Sequence, residues 1–149
     1  MIGVRIRNKG KIKSGGIPAE EIALAYIKKF NVKWWERLFG ITVMAFEDPA
    51  YLEADPALIQ DVLDKDFTDK QEYIPEEKIR HFDCGDFTNR LMGAFHCNIE
   101  TASMPIFKTW ITGHSLLSYY HKGEIWFIEP QNDIVFSPQP NWKLIHLCD

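Results

Sequence analysis

The stretch from residue 113 to residue 131 constrains the fold more than any other, because its pattern is typical of a β-hairpin. Aromatic and aliphatic residues dominate 114–121 and 124–129, and the pair Lys122-Gly123 stands between them. Two such runs around a Gly-containing pair are the sequence signal for antiparallel strands joined by a tight turn. The pattern therefore predicts two strands with Lys122 and Gly123 as the loop residues.

That loop determines which residues face each other. Counting outward from it places Ser118 opposite Phe127 and His114 opposite Gln131. Because side chains in a strand alternate between the two faces, His114, Glu129 and Gln131 then project from one face. Glu129 is the diagonal neighbour of His114, a separation that long side chains can span. We therefore expect an imidazole beside a carboxylate near the open end of the hairpin, with Gln131 placed to support them by hydrogen bonding.

A second feature is Cys84, which stands at the start of a predicted helix. The apolar residues that recur at helical spacing are Phe87, Leu91, Ala94 and Phe95. Asp83 is a favourable N-cap residue just before them. Unpaired N–H groups and the positive end of the helix dipole favour thiolate over thiol at such a position. A cysteine there, with a histidine and a carboxylate on a later strand pair, is the layout of a Cys-His-acid nucleophilic site.

These three residues predict covalent chemistry at a carbonyl carbon of a peptide or protein substrate. Cys84 would attack the carbon, His114 would exchange the proton, and Glu129 would orient the imidazole and stabilise its charged form. Water as acceptor gives a peptidase or amidase, an amine gives a transglutaminase-like acyltransferase, and the three side chains do not distinguish them. The backbone N–H of Cys84 is one candidate oxyanion-hole donor. Tyr73 and Gln71, in the preceding loop, are candidates for the second.

Composition narrows the class of protein. With 149 residues, 46% of them hydrophobic, the chain is predicted to form one domain with a sizeable core. A formal net charge of −4 gives no global reason to expect a nucleic-acid or anionic-membrane partner. No apolar run reaches the length of a membrane span, and no secretion signal is recognisable at the N-terminus. These features predict a soluble, cytoplasmic protein, and they do not indicate its oligomeric state.

The cysteine count supports the same compartment. Cys84, Cys97 and Cys148 make an odd number without metal-ligand spacing, which fits a reducing environment better than a disulfide scaffold. We expect Cys97 and Cys148 to be structural, because free cysteines are commonly buried as small hydrophobes. Cys84 is then the one chemically special thiol.

Helical patterns dominate the first two thirds of the chain and strand patterns the last third. The predicted helices are 18–30, 34–40, 55–67 and the helix that starts at Cys84; the predicted strands are 106–111, the hairpin and 142–147. This order predicts an α+β fold, with N-terminal helices and the Cys84 helix packed on a C-terminal antiparallel sheet. Trp34 and Trp35 are expected in the core, with a ligand platform as the alternative.

The N-terminal stretch, residues 1–16, alternates apolar and basic residues. We interpret it as an edge strand with a solvated basic face, since lysines discourage edge-to-edge pairing. An anion-binding arm is the alternative.

Three motifs carry a resemblance to a known family. They are Asp83-Cys84-Gly85-Asp86-Phe87, Gly113-His114, and Trp126-Phe127-Ile128-Glu129-Pro130-Gln131-Asn132. Together they resemble the papain-like and transglutaminase-like superfamily of cysteine hydrolases, and within it the C-terminal cysteine-protease domain of a mushroom agglutinin with its bacterial and phage relatives. The resemblance covers roughly a third of the chain. It implies a single papain-like domain over residues 1–149 and a Cys-His-Glu triad at Cys84, His114 and Glu129.

The resemblance also bears on cofactors. The residues themselves indicate none, but the mushroom domain depends on calcium, with acidic residues beside its cysteine. Asp86 matches one of those acids, whereas Gly85 stands in place of the first. Lys78 and Ile79 occupy the positions where papain-like enzymes place a glutamine. The resemblance therefore implies calcium at Asp86 as the one candidate cofactor.

Two other functions stay open. The fold could serve as a binding or structural module without catalysis, and the missing glutamine motivates that alternative. A cell-wall amidase family also places Asp-Cys at a helix start, but it typically uses histidine as its third polar residue, so Glu129 argues against it.

Overall fold

The computed structural model describes residues 3–7, 15–75, 77–78, 80–137 and 141–149. The helices are α1 Ala19–Lys29, α2 Trp34–Leu38, α3 Pro56–Lys65 and α4 Cys84–Cys97, with a 3₁₀ turn at Thr68–Lys70. The strands are β1 Val4–Ile6, β2 Ile17–Pro18, β3 Val43–Phe46, β4 Ala50–Tyr51, β5 Ile106–Ile111, β6 His114–His121, β7 Glu124–Glu129, β8 Ile134–Phe136 and β9 Leu144–Cys148.

Seven of these strands form one mixed sheet in the order β1-β3-β9-β5-β6-β7-β8. The pairs β1–β3 and β3–β9 are parallel, and the pairs from β9 to β8 are antiparallel. Strands β2 and β4 form a separate antiparallel pair. The C-terminal strand β9 thus lies between N-terminal and central strands and joins the two parts of the chain.

The predicted hairpin is confirmed in its register. Ser118 pairs with Phe127, and Tyr120 pairs with Ile125. Lys122 and Gly123 both have positive φ, 48° and 85°. A two-residue turn with both central residues at positive φ matches the right-handed twist of the strands, which explains why this loop sets the register.

Helix α4 begins as the sequence predicts. The Asp83 carboxylate accepts hydrogen bonds from the backbone N–H groups of Gly85 and Asp86, and the Asp86 carboxylate accepts one from the N–H of Asp83. This reciprocal capping satisfies donors that the first helical turn leaves unpaired. Cys84 is therefore the first residue of a well-capped helix.

The sheet separates two hydrophobic clusters. On one face, α1 packs through Tyr26 on large buried side chains of the sheet that include Phe107 and Phe127. On the other face, α3 and α4 pack on the sheet through residues such as Leu91 and Leu117. Alternation along β5, β6 and β7 supplies both clusters, since successive residues point to opposite faces.

The predicted arrangement of N-terminal helices over a C-terminal antiparallel sheet is wrong. Strand β3 comes from the first third of the chain and pairs in parallel with β1 and β9, so the sheet is mixed and draws on both ends of the sequence. The α+β papain-like description is corrected to a seven-stranded mixed sheet with four helices among the described residues. The strand β3 is short and uniformly apolar, and a short apolar run does not by itself predict a strand.

Two predictions of burial are also wrong. Trp34 and Trp35 are 64% and 41% exposed, so they lie outside the core. Cys97 is exposed, because it ends α4 on the solvent side rather than packing as a small hydrophobe.

The N-terminal edge strand is confirmed in part. β1 is the outermost strand of the large sheet. The lysines of the predicted basic face and of the alternative anion-binding arm lie at 9, 11 and 13, outside the described residues.

Candidate functional site

His114 and Glu129 meet at the open end of the hairpin. The Nε2 atom of His114 lies 2.6 Å from Oε2 of Glu129, and the two side chains are 29% and 19% exposed. The other carboxylate oxygen of Glu129 accepts a hydrogen bond of 3.4 Å from the backbone N–H of Gln131. Because Nε2 is committed to Glu129, the ring is held in one orientation, and Nδ1 remains for another partner.

Cys84 contributes the first residue of α4 to the same region. Its carbonyl accepts a hydrogen bond of 2.7 Å from the Thr88 hydroxyl, and the side chain is half-buried. Within the described part of the chain, the Cys84 sulfur has no hydrogen-bond partner. Cys84 and His114 line the same cavity, and no hydrogen bond joins the thiol to the His114 ring.

That cavity has a volume of about 540 Å³. It lies between the start of α4 and the ends of β5, β6 and β9. Its lining residues are Asp83, Cys84, Gly85, Trp110, Ile111, Gly113, His114, Ser115, Ile145 and His146. We refer to it as the α4 cleft.

One wall of the α4 cleft is aromatic. The rings of Trp110 and His146 stack in parallel, with centroids 5.1 Å apart, and the Lys108 ammonium lies 4.2 Å from the centre of the Trp110 ring. Burial, and secondarily the charge of Lys108, lowers the pKa of His146. His146 is therefore neutral at neutral pH, and its ring can stack without carrying a buried charge.

This aromatic wall was not predicted from the sequence. Trp110 and His146 come from strands that meet only through the β5–β9 pairing, where the two residues are directly opposed. Residues 110 and 146 are far apart in the sequence, so no local pattern of residues indicates that they pair. The alternation of residues 106–111 places Trp110 on the same face as Lys108, and it does not indicate His146.

A possible metal-binding group lies beside Cys84. One ligand atom from each of His81, Asp83 and Asp86 lies within 4.8 Å of the others. Both carboxylates already cap α4. Calcium takes about 6–8 oxygen ligands, and a set with an imidazole nitrogen and two carboxylates suits a transition metal better. The described residues around Asp86 therefore do not by themselves match a calcium site.

Only some of the predicted site residues lie at the α4 cleft. Cys84 and His114 line the α4 cleft, and Glu129 supports it through His114. Gln131 contributes its backbone N–H to Glu129, and Asp86 caps α4. Tyr73 is 51% exposed and does not line the cleft.

Comparisons with known proteins show that solved structures share the fold of this chain. No family model and no curated protein matches the chain. One similar solved structure is described as "PSL1a-E64 complex", with a TM-score of 0.71, 14% identity, and coverage of 91% of this chain and 51% of that chain. Another is Polyporus squamosus lectin bound to a human-type influenza-binding epitope, Neu5Aca2-6Galb1-4GlcNAc, with a TM-score of 0.66, 13% identity, and coverage of 91% and 50%. This chain thus spans about half the length of the similar chains.

These findings correct the assignment made from the motifs. The solved structure whose description names a kind of protein is a lectin with a bound glycan, and no family model supports a cysteine hydrolase. The predicted membership of the papain-like superfamily, the hydrolase function and the enzyme assignment are contradicted by these matches, and the chain is not assigned to that superfamily. The motif resemblance misled because it rests on a few residues around Cys84, His114 and Glu129, whereas the matched fold covers nearly the whole chain.

Among the described residues, none of the helices has both the length and the apolar character needed to cross a membrane.

Proposed function

We propose that the chain is a binding module without catalysis, and that its α4 cleft holds a small polar ligand of the saccharide class. The observation that carries the proposal is the convergence of fixed polar groups and an aromatic wall on one open cavity. Another cavity, beside β3 and the C-terminal end of β9, is smaller, at about 160 Å³.

The polar groups in the cleft are positioned before a ligand arrives. Glu129 orients the His114 ring, so Nδ1 is directed by a contact that the ligand does not have to form. Asp83 and Ser115 also line the cavity, and both side chains are held, the Asp83 carboxylate by the N–H of Gly85 and the Ser115 hydroxyl by its bond of 3.1 Å to the Thr88 hydroxyl. Groups that are already ordered lose little conformational entropy on binding, and this favours affinity for a small ligand.

The volume and lining fit such a ligand. Small-molecule pockets span about 300–1,000 Å³ and combine apolar or aromatic walls with a few polar groups. The α4 cleft, at about 540 Å³ with Trp110, Ile111 and Ile145 beside its polar residues, has this composition. Sugar rings present both C–H faces and hydroxyl groups, so they need both kinds of wall.

The comparisons support the same ligand class. The Polyporus squamosus lectin is described with a sialylated trisaccharide bound. The likeness alone concerns the fold, and the composition of the cleft is what brings the saccharide class to this chain.

A titration with oligosaccharides tests the proposal. A panel of neutral and sialylated oligosaccharides is titrated against the protein while amide shifts are followed by NMR. We expect shifts at Gly113, His114 and Gly85. His114→Ala should weaken binding about tenfold, since a hydrogen bond from an oriented ring is worth about 1.5 kcal/mol. His121→Ala is the matched control, because His121 lies at the other end of β6 and bonds to the Ala54 carbonyl instead. No shift with any oligosaccharide, or equal losses in both variants, would overturn the proposal.

Thiol labelling tests the absence of catalysis. Iodoacetamide is applied at about pH 6, where an ordinary thiol is almost entirely protonated and reacts slowly. The exposed Cys97 supplies a reference within the same molecule. A binding module should alkylate Cys84 no faster than Cys97. Fast alkylation of Cys84 that disappears in His114→Ala would show an activated nucleophile and would contradict a purely binding role.

A further inference from the structure

An exposed hydrophobic surface lies on α2 and the turn that follows it. Its members are Trp34, Trp35, Leu38, Phe39 and Ile41, with exposed fractions of 64%, 41%, 49%, 73% and 41%. We call this surface the α2 patch. Single exposed apolar residues are ordinary, whereas a cluster of large exposed apolar residues, here five within eight positions, is typical of an interaction site.

The exposure of the α2 patch is fixed by a buried carboxylate. Glu36 is only 8% exposed, and it accepts a hydrogen bond of 2.8 Å from the backbone N–H of Lys33 and forms an ion pair of 3.2 Å with Lys143. The backbone N–H groups of Ile41 and Thr42 both donate to the Glu36 carbonyl. The helix therefore turns its acid inward and its rings outward, the reverse of the usual orientation.

The segment that carries the patch, residues 28–41, is basic. Lys28 and Lys33 are exposed, and Lys29 is paired with Glu124 at 3.3 Å. Glu36 is the only acidic residue between positions 28 and 41, and it is buried. This segment thus presents exposed aromatic rings and exposed lysines without an exposed acid of its own.

This charge pattern selects the partner. A symmetric contact between two copies of the chain would bring the same lysines together, and like charges at an interface are unfavourable. An anionic lipid surface offers the opposite charge for the lysines and an interfacial layer for tryptophan and phenylalanine. We propose that the α2 patch docks the protein peripherally on an anionic membrane surface. The net charge of −4 did not indicate such a partner because it is a sum over the whole chain, whereas the segment 28–41 is basic.

Vesicle flotation tests this docking site. The protein is mixed with phosphatidylcholine vesicles, with or without about 30 mol % phosphatidylserine, at low and at high salt. We expect binding only to the anionic vesicles, weaker at high salt. Trp34→Ser with Phe39→Ser should lower binding at least tenfold. Lys28→Gln with Lys33→Gln should lower it by about fivefold for each lysine removed. Ile99→Ser is the matched control, since Ile99 is 93% exposed and lies in the turn after α4, outside the patch.

Several results would overturn the proposal. They are binding that is equal on neutral and anionic vesicles, an equal loss in Ile99→Ser, or no binding at all. A dimer in sedimentation that the Trp34→Ser and Phe39→Ser changes abolish would assign the α2 patch to a second copy instead. Thermal unfolding checks each variant, and the lysine variant decides the question if the aromatic variant does not fold. None of these outcomes depends on the saccharide site, because the α2 patch shares no residue with the α4 cleft.

Discussion

The sheet around hairpin β6–β7 carries two polar clusters with opposite properties. In the middle of β6, the Ser118 hydroxyl bonds to the Tyr26 hydroxyl at 2.6 Å and to the Thr109 hydroxyl, and all three residues are fully buried. At the open end, His114 bonds to Glu129 at 2.6 Å, and both side chains are partly exposed. The two clusters have similar bond lengths and share strand β6, but Ser118 is joined to β5 and α1, whereas His114 is joined to β7.

The two clusters differ in whether a donor or acceptor atom remains available to a ligand. Burial raises the pKa of Tyr26, so its hydroxyl stays protonated as a donor within a closed network. The His114 ring, in contrast, faces the α4 cleft with a nitrogen available. A closed polar cluster stabilises the fold, whereas an open one offers contacts to a ligand.

The largest effect on stability is expected from Ser118→Ala. It leaves the Tyr26 hydroxyl buried without its partner, which should cost about 2 kcal/mol of unfolding free energy. Thr109 keeps a bond to the Phe107 carbonyl and adds little to this cost. Chemical denaturation measures the change, and saccharide binding should stay the same.

Tyr26→Phe combined with Ser118→Ala is the control for that change. With both partners removed, no unpaired hydroxyl remains, so the double variant should lose less than the sum of the single variants. Additive losses would mean that the hydroxyl pair is not coupled, and the description of a closed cluster would fail.

The sequence predicted the parts of this comparison that depend on local rules. The Lys122-Gly123 turn defines the hairpin register, and that register places His114 diagonal to Glu129, as observed. Asp83 marks the start of α4 for the same kind of reason, since capping is a local interaction.

The features of the fold and the site that the sequence did not predict depend on pairings between distant segments. β3 joins β9 across about a hundred positions, and the stacking of Trp110 on His146 follows from the β5–β9 pairing. No residue pattern near either segment indicates the partner strand. Trp34 and Trp35 are exposed because Glu36 is held inward, and one of its partners is Lys143, which lies near the other end of the sequence.

Asp83→Ala is expected to have the next largest effect. It removes a cap that accepts hydrogen bonds from Gly85 at 2.8 Å and from Asp86 at 3.4 Å, which should cost about 1.5 kcal/mol. Asp55→Ala is the matched control, because Asp55 caps α3 through Ala57 at 2.9 Å and lies away from the α4 cleft. Both variants should lose stability in thermal unfolding, but only Asp83→Ala should weaken saccharide binding. Equal binding in both would remove Asp83 from the open cluster.

Asp133→Asn is expected to change stability in a way that depends on pH. Burial, together with the charge of Asp69, raises the pKa of Asp133 from 3.8 to about 6. A carboxyl group with a raised pKa favours folding while it is neutral, so this stabilisation is present at pH 3.8 and is lost as the pH rises through about 6. Asn carries no charge, so Asp133→Asn should raise the unfolding free energy at about pH 7.5. Because the group is partly exposed and solvent screens its charge, we expect a gain of only about 1 kcal/mol.

The test is denaturation at several pH values. Wild type and Asp133→Asn should have equal stability at about pH 4 and diverge above about pH 6. Asp61→Asn is the control, since Asp61 is an exposed partner of Lys65 on α3, and its loss should cost at most about 0.5 kcal/mol. A constant difference between wild type and Asp133→Asn at all pH values would show that ionisation of the Asp133 carboxyl group is not the cause.

The smallest effect on stability is expected from Glu129→Gln, at the open cluster itself. Glutamine keeps an oxygen that can accept from Nε2 of His114 but removes the charge, and a charge-assisted bond is only about twice as strong as a neutral one. Because both side chains reach solvent, the unfolding free energy should change by no more than about 0.5 kcal/mol. Saccharide affinity should fall about two- to threefold, since the ring is held less firmly. A loss of stability as large as that of Ser118→Ala would show that His114 and Glu129 form a second structural cluster, and the distinction between a closed and an open cluster would not hold.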